Sequence, residues 1–361
     1  MDLQGIKAAA TTIRLLAMDA VEASGTGHPG MALGCAELAA TLYGEILKHN
    51  PKEPTWVDRD RFVLSAGHGS ILLYSALHLA GYDLPLEEIG RLRRVGSKTP
   101  GHPEYGVTPG VETTTGPLGA GFATAVGMAI AERRLAARFN GSGFPVVNHY
   151  TYVLSGDGCL MEGVSAEAAS LAGHLGLGKL IVFYDSNGVS IDGPTTITFT
   201  EDVKKRFEAY GWSTFHGSAH DPKAIVELTA AAQADGDHPS LIVLDSVIGR
   251  GAGSLEGNPK VHGSPLGPEV IAEPKRTHGV PEEQAFYVLP EAREYFRGRM
   301  EAQAGRHSDW QRSFEKWSAS HPELAQQFAE HLDAGRAYYG KAQLPTYKSG
   351  EKVSTRDAGG E

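Results

Sequence analysis

The chain has 361 residues, 41% of them apolar and 8% aromatic, enough to bury a sizeable core in one large domain or two smaller ones. A formal charge of −10 argues against a nucleic-acid surface, which needs a basic patch, and no run of about 18 apolar residues marks a membrane span. Cys35 and Cys159 are the only cysteines and lack C-x-x-C spacing, so neither a disulfide framework nor a thiolate zinc site is suggested.

In chain order, "MDLQGIKAAATTIRLLAMDA" has the pattern of an amphipathic helix with acidic residues, unlike a basic signal segment, and makes the cytoplasm the expected compartment. Helices are expected over about 4–23 and 32–48. "RFVLSAGHGS" reads as a short strand ending in Gly67-His68-Gly69, followed by a helix "SILLYSALHLAG" closed by Gly81. The stretch "SKTPGHPEYGVTPGVETTTGPLGAG" is a long Gly, Pro and Thr loop, and loops of that length inside a domain are usually functional or disordered. It runs into the helix "GFATAVGMAIAERRLAARF".

"YTYVLSGDG", "KLIVFYDSNG" and "SLIVLDSVIGRG" are three further strand-like runs separated by helical segments. The alternation predicts an α/β fold, a parallel sheet with helices on both faces. Ligands of such sheets sit beyond the carboxyl ends of the strands, which places GDG, DSNG and IGRG on one rim. After about Pro281 the pattern turns to charged helices and a polar tail, so the expected organisation is a domain over 1–280 and a helical linker with tail over 281–361.

On that rim Asp157 offers a carboxylate and Asn187 an amide oxygen, with backbone carbonyls nearby. Such an oxygen-only set suits Mg²⁺ sharing its shell with a diphosphate. Gly156 and Gly158 would let the backbone approach phosphates, and a helix starting near Glu162 would point its N-terminus at them. The competing reading makes Asp157 a helix cap and Asn187-Gly188 a turn.

The ordered motifs "GHPG" (27–30), "DRFVLSAGHGS" (60–70), "SKTPGHPE" (97–104), "GVETTTGPLGAG" (110–121), "GDGCLMEG" (156–163), "NGVSIDG" (187–193) and "HGSPLG" (262–267) resemble the transketolase family of thiamine diphosphate enzymes. The resemblance implies that Asp157, Asn187 and the Val189 carbonyl hold Mg²⁺, or Ca²⁺ or Mn²⁺ in its place. It implies that His68, His262 and the Gly158 amide meet the diphosphate, while Gly116, Leu118, Gly156 and Ile191 lie along the cofactor. His28 and His102, with His262 close by, would contact sugar hydroxyls near the reacting carbon. Imidazoles suit that work because their unperturbed pKa of about 6.5 lies near working pH. Glu162 and Glu167 resemble family glutamates at a dimer interface, or are acids complementing a first helical turn. The sequence departs from the family at Arg250, where Phe is usual, and at Ala120, where Gln is common.

A complete transketolase continues into a pyrimidine-binding domain, and "KVSTRDAGGE" resembles the end of the linker before it. The expected function is therefore the diphosphate-binding subunit of a two-chain transketolase. It would self-associate into a dimer core, recruit a separately encoded pyrimidine-domain partner, and transfer a two-carbon ketol unit between sugar phosphates. Two other readings stand beside it: a related two-chain enzyme using a carrier-bound acceptor, and a catalytically silent cofactor-binding or regulatory module.

Overall fold

The computed structural model describes residues 1–141, 143–191, 193–341 and 346–354, with residue 358. The linker-end reading at Thr355-Arg356 lies outside the described residues. α1 (Leu3–Ser24) opens where the Asp2 carboxylate accepts the Gly5 amide at 2.9 Å and stops at Gly25, whose φ is +75°. The helix expected over 32–48 is instead broken into α2 (Pro29–Gly34), α3 (Ala36–Thr41) and one wider turn at Leu42–Ile46. Its break at Cys35 seats Gly34 against the Val247 carbonyl, 3.0 Å from where a Cβ would stand.

β1 (Arg61–Leu64) passes through a tight turn at Gly67–Gly69 into α4 (Ser70–Leu79), and the Gly81 amide closes that helix on His78 O at 3.1 Å. α5 (Leu86–Ile89), the long loop and α6 (Ala120–Phe139) follow. Next come β2 (Thr151–Gly156), α7 (Asp157–Met161), α8 (Gly163–Leu175), β3 (Leu180–Ser186) and the small antiparallel pair β4 (Val189–Ser190) and β5 (Gly193–Pro194). α9 (Val203–Ala209), β6 (Ser213–Ser218), α10 (Pro222–Ala234) and β7 (Ser240–Asp245) complete the sheet. α11 (Pro268–Thr277), α12 (Pro290–Ser320) and α13 (Pro322–Lys341) follow.

The sheet is five-stranded and parallel throughout, in the order β1-β2-β3-β7-β6. Alternate residues feed two cores, as a sheet covered on both faces requires. Phe62, Leu64, Tyr152, Leu154, Ile181 and Phe183 pack into the layer containing α1, α3 and α4. Val63, Val153, Val182 and Leu241 pack against Phe122, Ala169 and Phe207 of α6, α8 and α9. The α/β expectation is thus met, with four strands where the apolar runs placed them. β6, "STFHGS", was not among them: an edge strand paired only to β7, it is half-buried and carries no continuous apolar run.

The long loop is ordered by a ladder of side-chain anchors. Tyr74 Oη and Ser70 Oγ of α4 donate to Pro100 O at 2.8 Å and Gly101 O at 3.0 Å, and Thr99 Oγ1 donates to Glu88 O at 2.7 Å. At the other end, Ala292, Tyr295 and Phe296 of α12 pack into the core that contains α1.

Candidate cofactor pocket

Every strand-end motif converges on one cavity of about 510 Å³. His28, His68, His102, His262, Gly116, Leu118, Gly156, Asp157, Gly158, Asn187, Val189 and Ile191 all line it, so the structure brings together every residue expected at the metal, cofactor or sugar, while Glu162 and Glu167 lie outside the lining. Met31, Met161, Ile197 and Ile248 add apolar surface.

Each functional side chain is delivered by a local device. His28 precedes Pro29 at the start of α2, and His68 sits in the turn leaving β1. Gly67 makes that turn possible: a Cβ there would lie 2.7 Å from both the Gly116 amide and Thr115 Oγ1, so the two loops touch only because it is absent. His102 hangs from the loop pinned by α4, and His262 ends the Pro259–Val261 turn, its amide donating to Pro259 O at 2.9 Å. Asp157 follows β2 directly. A helix does begin at Gly163, close to the expected position, but the chain is already helical from Asp157 to Met161 and is extended at Glu162. The turn nearest the cavity is therefore α7, with Asp157 in its first position.

The imidazoles form a packed group. Ring centroids lie 5.4 Å apart for His28 and His68, 5.0 Å for His68 and His262, 5.5 Å for His28 and His262, and 6.2 Å for His28 and His102. Burial lowers every one of their pKa values, to about 4 for His28 and about 3 for His68, with mutual repulsion adding to both. All are neutral at physiological pH, each with one N–H donor and one lone pair. Arg93 Nη2 donates to His28 Nδ1 at 3.1 Å.

The acidic wall is different. Tyr184 Oη donates to Asp157 Oδ1 at 2.5 Å, while the buried Oδ2 has no hydrogen bond of good geometry among the described residues. Burial, reinforced by the neighbouring Asp185 carboxylate, raises the Asp157 carboxyl to about 6. Asp185 is fully buried between strands; it accepts Asn187 Nδ2 at 2.9 Å and a hydrogen bond from Ser246 Oγ. Asn187 Oδ1 in turn accepts the Val189 amide at 2.9 Å, which fixes the amide group's orientation.

These donors fit a hard cation bound together with an anion. The orphaned Oδ2 and the uncompensated Asp185 leave the wall short of positive charge, and one carboxylate, one amide and a carbonyl offer oxygen alone. Among the described residues no group of three or more His, Cys, Asp or Glu forms a cage, so amide and backbone oxygens, water or a bound ligand would have to complete any ion's shell. Neutral imidazoles and glycine amides beside apolar Met, Leu and Ile side chains suit a molecule with a phosphate end and an aromatic end.

A family model described as the thiamine diphosphate binding domain of transketolase matches residues 6–336. The chain belongs to the transketolase family. It is 52% identical to the transketolase of Treponema pallidum, over 100% of this chain and 55% of that protein, and 49% identical to that of Geobacillus stearothermophilus, over 98% and 53%. Among solved structures it superposes on Leishmania mexicana transketolase with a TM-score of 0.90 at 45% identity, covering 95% of this chain and 51% of that one. The same TM-score, 0.90 at 43% identity, relates it to a Pichia stipitis transketolase in complex with sedoheptulose 7-phosphate, over 98% and 52%. The chain thus corresponds to the N-terminal part of a transketolase and spans about half the length of the curated relatives it matches.

Three polar residues that hold lining side chains from behind, Asp185, Tyr184 and Arg93, were not foreseen. Asp185 carried a readable signal, a charge inside the otherwise apolar strand "LIVFYDSNG", since buried acids are rare unless they have work to do. Tyr184 was hidden as one more aromatic strand residue. Arg93 was masked by its charged, surface-like setting "RLRRVGSK".

Proposed function

We propose that this chain is the diphosphate-binding subunit of a transketolase whose pyrimidine-binding half is a separate chain. The observation that carries this reading is the convergence of every residue expected at the metal, cofactor or sugar on one cavity whose apolar rim is open: Ile191 is 70% exposed, Ile197 69% and Leu118 36%. Apolar surface beside a polar site is what a second protein surface covers. α8 offers Val164 and Leu171 on an exposed face beside Glu162 and Glu167, which supports self-association into a dimer core carrying two partner chains.

In this reading Asp157, Asn187 and the Val189 carbonyl hold Mg²⁺, or Ca²⁺ or Mn²⁺, against the diphosphate. His68, His262 and the Gly158 amide donate to phosphate oxygens, and Gly116, Leu118, Gly156 and Ile191 line the cofactor's length. Thiamine diphosphate, when bound, supplies the electron sink for breaking the bond beside a ketose carbonyl. His28, His102 and His262 orient the sugar's hydroxyls, and a neutral ring nitrogen is available to hold a proton leaving a hydroxyl oxygen. The substrate class, sugar phosphates, is supported by the sedoheptulose 7-phosphate bound to the Pichia relative.

The test is ketol transfer from xylulose 5-phosphate to ribose 5-phosphate. The purified chain is expected to give none, and turnover is expected when a pyrimidine-domain chain is added. Robust turnover by the chain alone contradicts the proposal, and silence with every candidate partner replaces it with the non-catalytic reading.

A further inference from the structure

We propose that Arg93 is a positioning residue that locks His28 as the Nε2–H tautomer, so that this imidazole meets substrate as a hydrogen-bond donor and never as a base. The inference rests on the reading of the cavity as a sugar-binding site.

The chemistry of the contact decides the tautomer. A guanidinium has donors only, so the 3.1 Å contact from Arg93 Nη2 requires a lone pair at His28 Nδ1, and the neutral ring then carries its proton on Nε2. Burial together with the Arg93 charge keeps the ring from taking a second proton. The free edge faces the opposite way: a Cβ on Gly263 would stand 3.1 Å from His28 Cδ2 and 3.4 Å from Nε2. His28 therefore turns its N–H edge toward the His262-Gly263 loop, among the rings of His68 and His262.

Arg93 is held for this contact at a cost. Its φ is +63°, a conformation that side chains with a Cβ rarely adopt and that costs of order 1–3 kcal/mol when the surroundings impose it. The surroundings do impose it, since the Arg93 amide donates to Thr99 O at 2.9 Å and the Lys98 amide to Glu88 Oε2 at 2.6 Å. The other cations of this loop have outward partners: Arg91 pairs with Glu88 at 2.9 Å, Arg94 donates to Ala23 O at 3.1 Å and Lys98 pairs with Asp83 at 2.7 Å. Arg93 alone turns inward, its guanidinium lying over Gly101, where a Cβ would be 3.2 Å from Nε. It thus touches the loops bearing His28 and His102 together.

A division of labour follows. His28 has no free lone pair, so the proton released by a sugar hydroxyl falls to another ring, and His28 is left to polarise or orient a substrate oxygen. A charge-assisted hydrogen bond of this kind biases the tautomer equilibrium by about tenfold or more.

The experiment is ¹⁵N NMR of the histidine rings in the purified chain, with His28 assigned by His28→Gln. Wild type is expected to show His28 neutral, with Nε2 protonated and Nδ1 as acceptor. Arg93→Gly suits the left-handed backbone and removes the guanidinium; it is expected to retain the fold and show a mixture of tautomers. Arg93→Asn, which tolerates that backbone and is too short to reach the ring, is expected to do the same. A wild-type ring protonated at Nδ1, or an unchanged tautomer population in both variants, overturns the proposal. This readout needs neither cofactor nor partner, so the lock can stand or fall independently of ketol transfer. In the assembled enzyme Arg93→Gly is expected to lower kcat with thiamine diphosphate affinity unchanged.

Discussion

Asp157, backed by the buried Asp185, and the imidazoles of His28, His68, His102 and His262 line the same cavity, and burial pushes both sets toward neutrality by opposite shifts. It raises the Asp157 carboxyl to about 6 and lowers His28 to about 4. The consequences differ. A neutral imidazole remains a complete donor and acceptor, and one of these rings is already oriented by Arg93. A carboxylate with an orphaned oxygen beside a second carboxylate lacks a compensating positive charge, which the proposed cation would supply. The imidazoles are complete without a ligand; in the proposed reading the carboxylate is completed by one.

The contrast breaks first at His102. In the proposed role of His102 as a sugar-facing donor, its replacement by Ala in the assembled enzyme is expected to lower turnover about 100- to 1,000-fold with little change in thiamine diphosphate affinity. His68→Ala is expected to weaken the cofactor instead. Steady-state kinetics with cofactor titration separates the two, and the reverse pattern would exchange their roles.

A smaller effect tests the incomplete carboxylate. Because the folded pKa of Asp157, about 6, lies above the ordinary 3.8, the folded chain holds that proton more tightly than the unfolded one. The stability this contributes is complete below the unfolded pKa and is lost as pH rises through about 6. Between those limits wild type is expected to lose roughly 2–3 kcal/mol relative to Asp157→Asn. Saturating Mg²⁺ with thiamine diphosphate and partner is expected to remove the loss. Denaturant unfolding across this pH range reads it directly, and parallel profiles for the two proteins would remove the incomplete-carboxylate account.

The smallest effect concerns the layer behind. Asp185 orients the Asn187 amide at 2.9 Å, so Asp185→Asn is expected to weaken Mg²⁺ by about 10- to 100-fold while the fold persists. Unchanged Mg²⁺ affinity would make Asp185 a purely structural buried acid.

The site was legible where chemistry is compressed into short stretches. Asp157 and Asn187 follow apolar runs whose alternation already implied a parallel sheet, and the glycines around His68 and Gly116 mark loops that must touch. What escaped depends on distance along the chain. Arg93 meets His28 across 65 residues through a strained backbone that no local pattern announces. β6 is held by its neighbour β7 more than by its own residues, and the break at Cys35 answers the approach of Val247, just past the end of β7.

The central claim, that the cavity binds Mg²⁺ and thiamine diphosphate through Asp157 and Asn187, meets its most direct test in titration calorimetry. Thiamine diphosphate would be titrated at saturating Mg²⁺ into wild type and Asp157→Ala, each with the partner that completes the site. Binding to wild type and none detectable to Asp157→Ala is the expected result; equal affinity for the two would contradict the account.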